Sequence, residues 1–94
     1  MNFTYGCAVF ILCASCVGRP PIKNYTLART AIEAARKVDG LRYSPEVFHR
    51  AEEFYRKGEI YYKNHEYANA ESAFEEARLN AEKAENEARM RPTD

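Results

Sequence analysis

The sequence predicts an all-α fold, a three-helix arrangement in which a short first helix precedes a long antiparallel hairpin. Three observations carry that expectation. From Asn24 onward no stretch alternates apolar and polar residues as a half-buried strand would. Apolar residues recur instead at three- and four-residue steps in three separate stretches. Between the stretches stand residues that stop and restart helices, Asp39-Gly40 and then Ser44-Pro45-Glu46.

The first helix is expected to be capped by Asn24 or Thr26, with Leu27, Ala28, Ala31, Ile32, Ala35 and Val38 on its apolar face. Gly40 is the type of residue that stands just past a helix terminus. The second helix restarts on a capping serine, a proline at the first helical position and an acid in the first turn, and runs to about Lys63. Its apolar positions are Val47, Phe48, Ala51, Phe54, Tyr55, Tyr61 and Tyr62. A short turn at Asn64-His65 leads into a third helix from about Glu66. There Tyr67, Ala70, Phe74, Ala77, Ala81, Ala84 and Ala88 form a seam of alternating three- and four-residue steps, the pattern of a helix packed along its length. Outside the seam, Glu75–Arg78 and Glu85–Arg89 have the spacing of attractive pairs on a solvated face.

Composition bounds the function. With 14 Lys+Arg against 14 Asp+Glu, the chain lacks the basic excess of a nucleic-acid binder. Its 94 residues leave room for a single small domain. The residues divide sharply along the chain: all charged side chains lie at or after Arg19, and the cysteines at or before Cys16. The apolar run Cys7–Val17 falls short of the roughly 20 residues a membrane-spanning helix needs, and suits the apolar region of a signal peptide. Residues 1–15 therefore read as a signal peptide, 16–23 as a tether and 24–94 as the helical domain.

Leu12-Cys13-Ala14-Ser15-Cys16 resembles a bacterial lipobox, in which small residues precede the cysteine that is lipidated. That resemblance makes Cys16 the lipid attachment site. Cys13-Ala14-Ser15 equally satisfies the small-x-small rule for ordinary cleavage, which would release the protein to the periplasm. Cys13-x-x-Cys16 lacks both the βαβ context of a redox pair and the further ligands of a zinc site.

Two resemblances lie in the helical part. Phe54, Gly58, Tyr61, Ala70, Phe74 and Ala77 fall at the spacings of one tetratricopeptide repeat, with Gly58 and Ala70 allowing the two helices to approach. Glu82 stands where the repeat has its terminating proline, so the third helix is expected to continue past one repeat length. The second resemblance spans nearly the whole chain. A signal ending in cysteine, the Ala-Arg helix from Ala28 to Arg36, then Tyr43-Ser44-Pro45-Glu46 with Ala51-Glu52, and an Ala-rich helix after Tyr67 resemble the small bacterial envelope lipoproteins with domain of unknown function 4398. The resemblance implies a helical fold and an envelope location, and supplies no catalytic residues.

No constellation in the sequence carries chemistry, so neither a catalytic residue nor a metal or cofactor is expected. Glu46-x-x-His49 is half of a di-iron carboxylate motif without its other half. His65-Glu66 begins like a zinc-protease helix, with Asn69 where the second histidine belongs. Glu52-Glu53 and Glu75-Glu76 are adjacent, and adjacent residues on a helix do not face each other.

The expectation is a non-catalytic lipoprotein on the periplasmic face of the outer membrane, acting as an anchored adaptor that binds another envelope protein or itself. Val17-Gly18 after the cysteine, without aspartate, resembles outer-membrane sorting. The alternative is a module for peptidoglycan or peptide that uses the tyrosine-rich hairpin face. The candidate surface is Tyr55 and Tyr62 together with Ala84, Ala88 and Met90. The last three enter because a helix from Glu66 to Met90 would span about 37 Å against about 28 Å for Pro45 to Lys63, leaving about 9 Å of seam beyond its partner.

Overall fold

The computed structural model describes residues 19–91. The expected signal peptide and Cys16 lie outside the described residues. Within them the chain is all-α and without strands: α1 (Ile22–Lys37), α2 (Gly40–Tyr43), α3 (Pro45–Lys63) and α4 (Tyr67–Arg89).

Helix α1 starts earlier than Asn24 or Thr26 would place it, so Ile22 and Lys23 belong to the helix and not to a tether. Pro21 occupies the cap position, and the Tyr25 amide donates to its carbonyl at 3.0 Å. Thr26 caps nothing; its hydroxyl bonds back to the Ile22 carbonyl at 3.0 Å. Arg36 and Lys37 in the last turn oppose the negative end of the helix dipole.

The corner after α1 departs from the sequence expectation. Asp39, not Gly40, takes the left-handed backbone, at φ 60°. Gly40 opens the short helix α2 and is needed for a different reason: a Cβ there would lie 2.8 Å from the Ala35 carbonyl oxygen. Ser44 also differs from its expected role. Its side chain makes no cap bond to α3 and donates to the Glu87 carboxylate of α4. That bond pins the corner between α2 and α3 to the last turns of α4.

Helix α4 is the centre of the domain. Of its seam residues Ala70, Phe74, Ala77, Ala81, Ala84 and Ala88 are buried, as is Ala73 beside them, while Tyr67 is half-buried. Helix α3 packs on it antiparallel, and α1 lies along it in parallel. The pairings show this: Ala28 shares a cluster with Ala70, Phe74 and Ala77, while Ala31, Ile32 and Ala35 share one with Phe48, Ala51, Ala81 and Ala84. Alanine lets three helices approach closely but buries little area. The larger fully buried side chains, Phe48 and Phe74, therefore carry much of the apolar burial, one in each cluster.

The Gly58 expectation holds in detail. It stands where α3 meets the Phe74 ring, so close that a Cβ would sit 2.5 Å from it. The ion pairs Glu75–Arg78 at 2.6 Å and Glu85–Arg89 at 2.9 Å form on the outer face of α4 as expected. Leu27 is the exception on α1: it is 44 % exposed, and Tyr25 takes the place in the apolar stripe that the sequence reading gave to it.

Burial along α4 sets up a packing test. Ala77 has no exposed surface, while Ala73 keeps 7 %. Overpacking a closed site typically costs about 1–3 kcal/mol. Ala77→Leu should lower the melting temperature clearly and Ala73→Leu should lower it less, as measured by circular dichroism. Equal losses would show that the two positions are packed alike.

Candidate functional site

Among the described residues a cleft lies between α1 and α3. Helices α1 and α3 each pack chiefly on α4 and touch one another little, so an open trough runs between them. Two hollows lie in it. One, about 450 Å³, is at the end where the chain enters the domain and is lined by Ile22, Tyr25, Glu59, Tyr62 and Lys63. The other, about 260 Å³, lies further along and is lined by Arg29, Ile32, Glu33, Arg36, Glu52, Tyr55 and Arg56. The rings of Tyr25 and Tyr55 meet between them at 5.7 Å.

The entry-end hollow is aromatic. Tyr25 stands edge-on to Phe74 at 5.3 Å, and Tyr55 tilts against the same ring at 5.8 Å. Burial first, and then the neighbouring Tyr25 hydroxyl, push the Tyr55 hydroxyl pKa above its ordinary value. Tyr55 therefore remains a neutral donor through the physiological range. Tyr62 faces Tyr67 at 5.7 Å, and Tyr67 shares a 2.7 Å hydrogen bond with His65 Nδ1. His65 holds a left-handed backbone at φ 60° in the turn between α3 and α4.

The second hollow is ionic. Arg29 pairs with Glu33 at 3.4 Å along α1, and Arg36 reaches across to Glu52 of α3 at 3.3 Å. These arginines are more than half exposed, so the pairs contribute at most about 1 kcal/mol each. His49 stands 3.8 Å from the other Glu52 oxygen. It is turned toward that carboxylate as an exposed side chain, and among the described residues no group of three His, Cys, Asp or Glu converges to hold a metal ion.

The five residues proposed from sequence as a surface are not brought together. Tyr55 and Tyr62 do share the cleft, one in each hollow. Met90 is 80 % exposed at the opposite end of α4. Ala84 and Ala88 require correction: both are fully buried. The expected bare end of α4 does not exist, because α1 and α2 both pack on α4 and cover it. Tyr61, adjacent to Tyr62, points the other way into the groove between α3 and α4 beside Phe54 and Asn69. Sequence reasoning missed Tyr25 and the arginine row of the cleft. Tyr25 was findable, since it lies three residues before Ala28 on the same stripe.

Fold and surface together define a small helical domain: an antiparallel hairpin closed by a parallel third helix, with an open cleft along one side. Residues 23–93 match the family model described as Domain of unknown function (DUF4398), and the chain belongs to that family. No curated protein matches the chain. No solved structure matches it either. No helix among the described residues is long and apolar enough to cross a membrane.

Proposed function

We propose that the protein is a non-catalytic adaptor of the bacterial envelope, lipidated at Cys16, held on the periplasmic face of the outer membrane, and contacting a partner protein through the cleft between α1 and α3. The lipobox-like run ending at Cys16 supports the anchor. The observation that carries the adaptor role is the character of the cleft. It is an open strip in which Arg29 and Arg36 are paired with Glu33 and Glu52 yet more than half exposed, with Arg56 beside them, so an approaching protein surface of complementary charge finds cations and carboxylates it can reach. Such contacts set specificity and association rate more than strength.

The entry-end hollow favours a second reading. At about 450 Å³ it is within the size range of small-ligand pockets, and its Tyr25 and Tyr62 surfaces with Glu59 and Lys63 suit a peptide or a peptidoglycan stem. Photo-cross-linking from position 56 in the native envelope separates the two. Recovery of one discrete protein, lost on Arg36→Glu, supports the adaptor. Saturable uptake of soluble peptidoglycan fragments, lost on Tyr62→Ala, supports the module and displaces the adaptor reading.

The anchor has its own test. Expressed from its own start codon in a Gram-negative host, the protein should incorporate labelled fatty acid. Cys16→Ser should abolish incorporation, and Cys7→Ser should leave it intact. Equal labelling of the Cys16→Ser variant would overturn Cys16 as the lipid site, and no labelling of either protein would leave release to the periplasm.

A further inference from the structure

The two ends of the domain differ in chemistry, and the difference lies along the axis set by the chain's entry point. At the entry end Ile22, in the first position of α1, is 62 % exposed among the described residues. Around it stand the apolar hollow with Tyr25 and Tyr62, then Tyr67 and His65 in their hydrogen-bonded pair. Arg19, Lys23 and Lys63 are exposed at this end. Its carboxylates are Glu59, on the wall of the hollow, Glu66, which accepts from the Asn69 amide at 3.4 Å, and the exposed Glu71 one turn into α4. An exposed aliphatic residue, half-buried tyrosines and exposed lysines together are the composition of protein surface at a membrane–water boundary: apolar bodies lie at headgroup depth and ammonium groups reach phosphates.

We infer that this end of the domain is a membrane-contact surface, in which Ile22 and Tyr62 sit at headgroup depth and Lys23 and Lys63 meet lipid phosphates. The inference rests on the proposed anchor for its occupant. Cys16 lies six residues before Ile22, a step that spans at most about 21 Å when fully extended. A lipid on Cys16 therefore keeps the entry end within reach of the bilayer. The corner at α2 stands about 28 Å further off, the length of α3 at 1.5 Å per residue. The surface holds the domain upright: the ionic hollow is presented part-way up its side, and Met90 and the α2 corner face away from the membrane.

The chain contains no tryptophan, so single tryptophans report position without background. The test uses the chain from Cys16 onward, which includes every described residue, carrying either Ile22→Trp or Met90→Trp. Its cysteine thiol is coupled to a maleimide-headgroup lipid in vesicles of phosphatidylethanolamine and phosphatidylglycerol containing acyl-brominated lipid. Coupling through the thiol makes the result independent of whether cells lipidate Cys16, so this test and the fatty-acid test fail separately. The tryptophan at position 22 should lose most of its emission and shift to the blue, while that at position 90 keeps both. Adding Lys23→Glu and Lys63→Glu should restore the emission of the first without releasing the chain. Equal emission loss at both positions, or none at either, would overturn the inference. So would survival of the position-22 quenching in the lysine variants, for the ionic half of the contact.

Discussion

Ala84→Glu is expected to unfold the domain, not to free a surface. Ala84 has no exposed area and sits among Ala31, Ile32, Ala35, Phe48, Ala51 and Ala81. A glutamate there needs volume the three-helix junction does not have, and its carboxylate finds no cation in the cluster. Burying an unpaired carboxylate carries an effective penalty of several kcal/mol. A domain of this size draws only about 3–5 kcal/mol from its core, so the substitution removes most or all of it. Met90→Glu is the matched control, since Met90 is 80 % exposed at the C-terminal cap of the same helix. In thermal melts followed by circular dichroism, Ala84→Glu should show no cooperative transition, or one far below that of the parent. Met90→Glu should melt with the parent. Coincident melting of all three would mean that α1 does not cover this part of α4.

The contrast between Ala84 and Met90 shows what the amino-acid pattern can and cannot convey. A seam of alanines says that a helix is packed along its length, but not by which neighbour. Sequence reading assigned α3 as the neighbour and, because α3 is the shorter helix, left the end of α4 bare. The missing fact was the course of α1 and α2. Helix α2 is hard to read because Gly40 and Asp39 exchange their customary roles: the aspartate turns left-handed, and the glycine serves a close approach to the Ala35 carbonyl. That approach exists only once the corner has folded. Helix α3 was legible to its ends, since Pro45 and Asn64-His65 act locally. Ser44 again shows the limit, for its hydroxyl goes to Glu87, distant in sequence.

The candidate site divides in the same way. Tyr55 and Tyr62 lie two helical turns apart and were legible as one flank of α3. The ionic hollow was not, because Arg29–Glu33 reads as an ordinary pair on a solvated helix and Arg36–Glu52 needs the docked helices to exist. A cleft between two helices that both rest on a third has no local signature in either.

The contact most exposed to refutation is that of Gly58 with Phe74. A Cβ at position 58 would stand 2.5 Å from Cε1, 2.6 Å from Cδ1 and 2.9 Å from Cζ of the ring. Phe74 has no free side to move toward: it is fully buried, with Tyr25 edge-on at 5.3 Å and Tyr55 at 5.8 Å. Two effects of Gly58→Ala oppose each other. Replacing glycine inside a helix by alanine favours the helix by about 1 kcal/mol. Forcing a methyl group into an occupied space costs about 1–3 kcal/mol. The short distances decide for the second, so Gly58→Ala should destabilise by up to about 2 kcal/mol in urea unfolding, and the branched Gly58→Val by clearly more. The cause can be isolated. Phe74→Leu destabilises on its own by removing buried aromatic area, but it withdraws the ring atoms that the new methyl group meets. In that background Gly58→Ala should become neutral or stabilising, a coupling within the range of about 0.5–3 kcal/mol seen for residues in contact. If Gly58→Ala changes stability equally in both backgrounds, glycine at this position is not required by Phe74, and the close approach of α3 to α4 at that ring is misplaced.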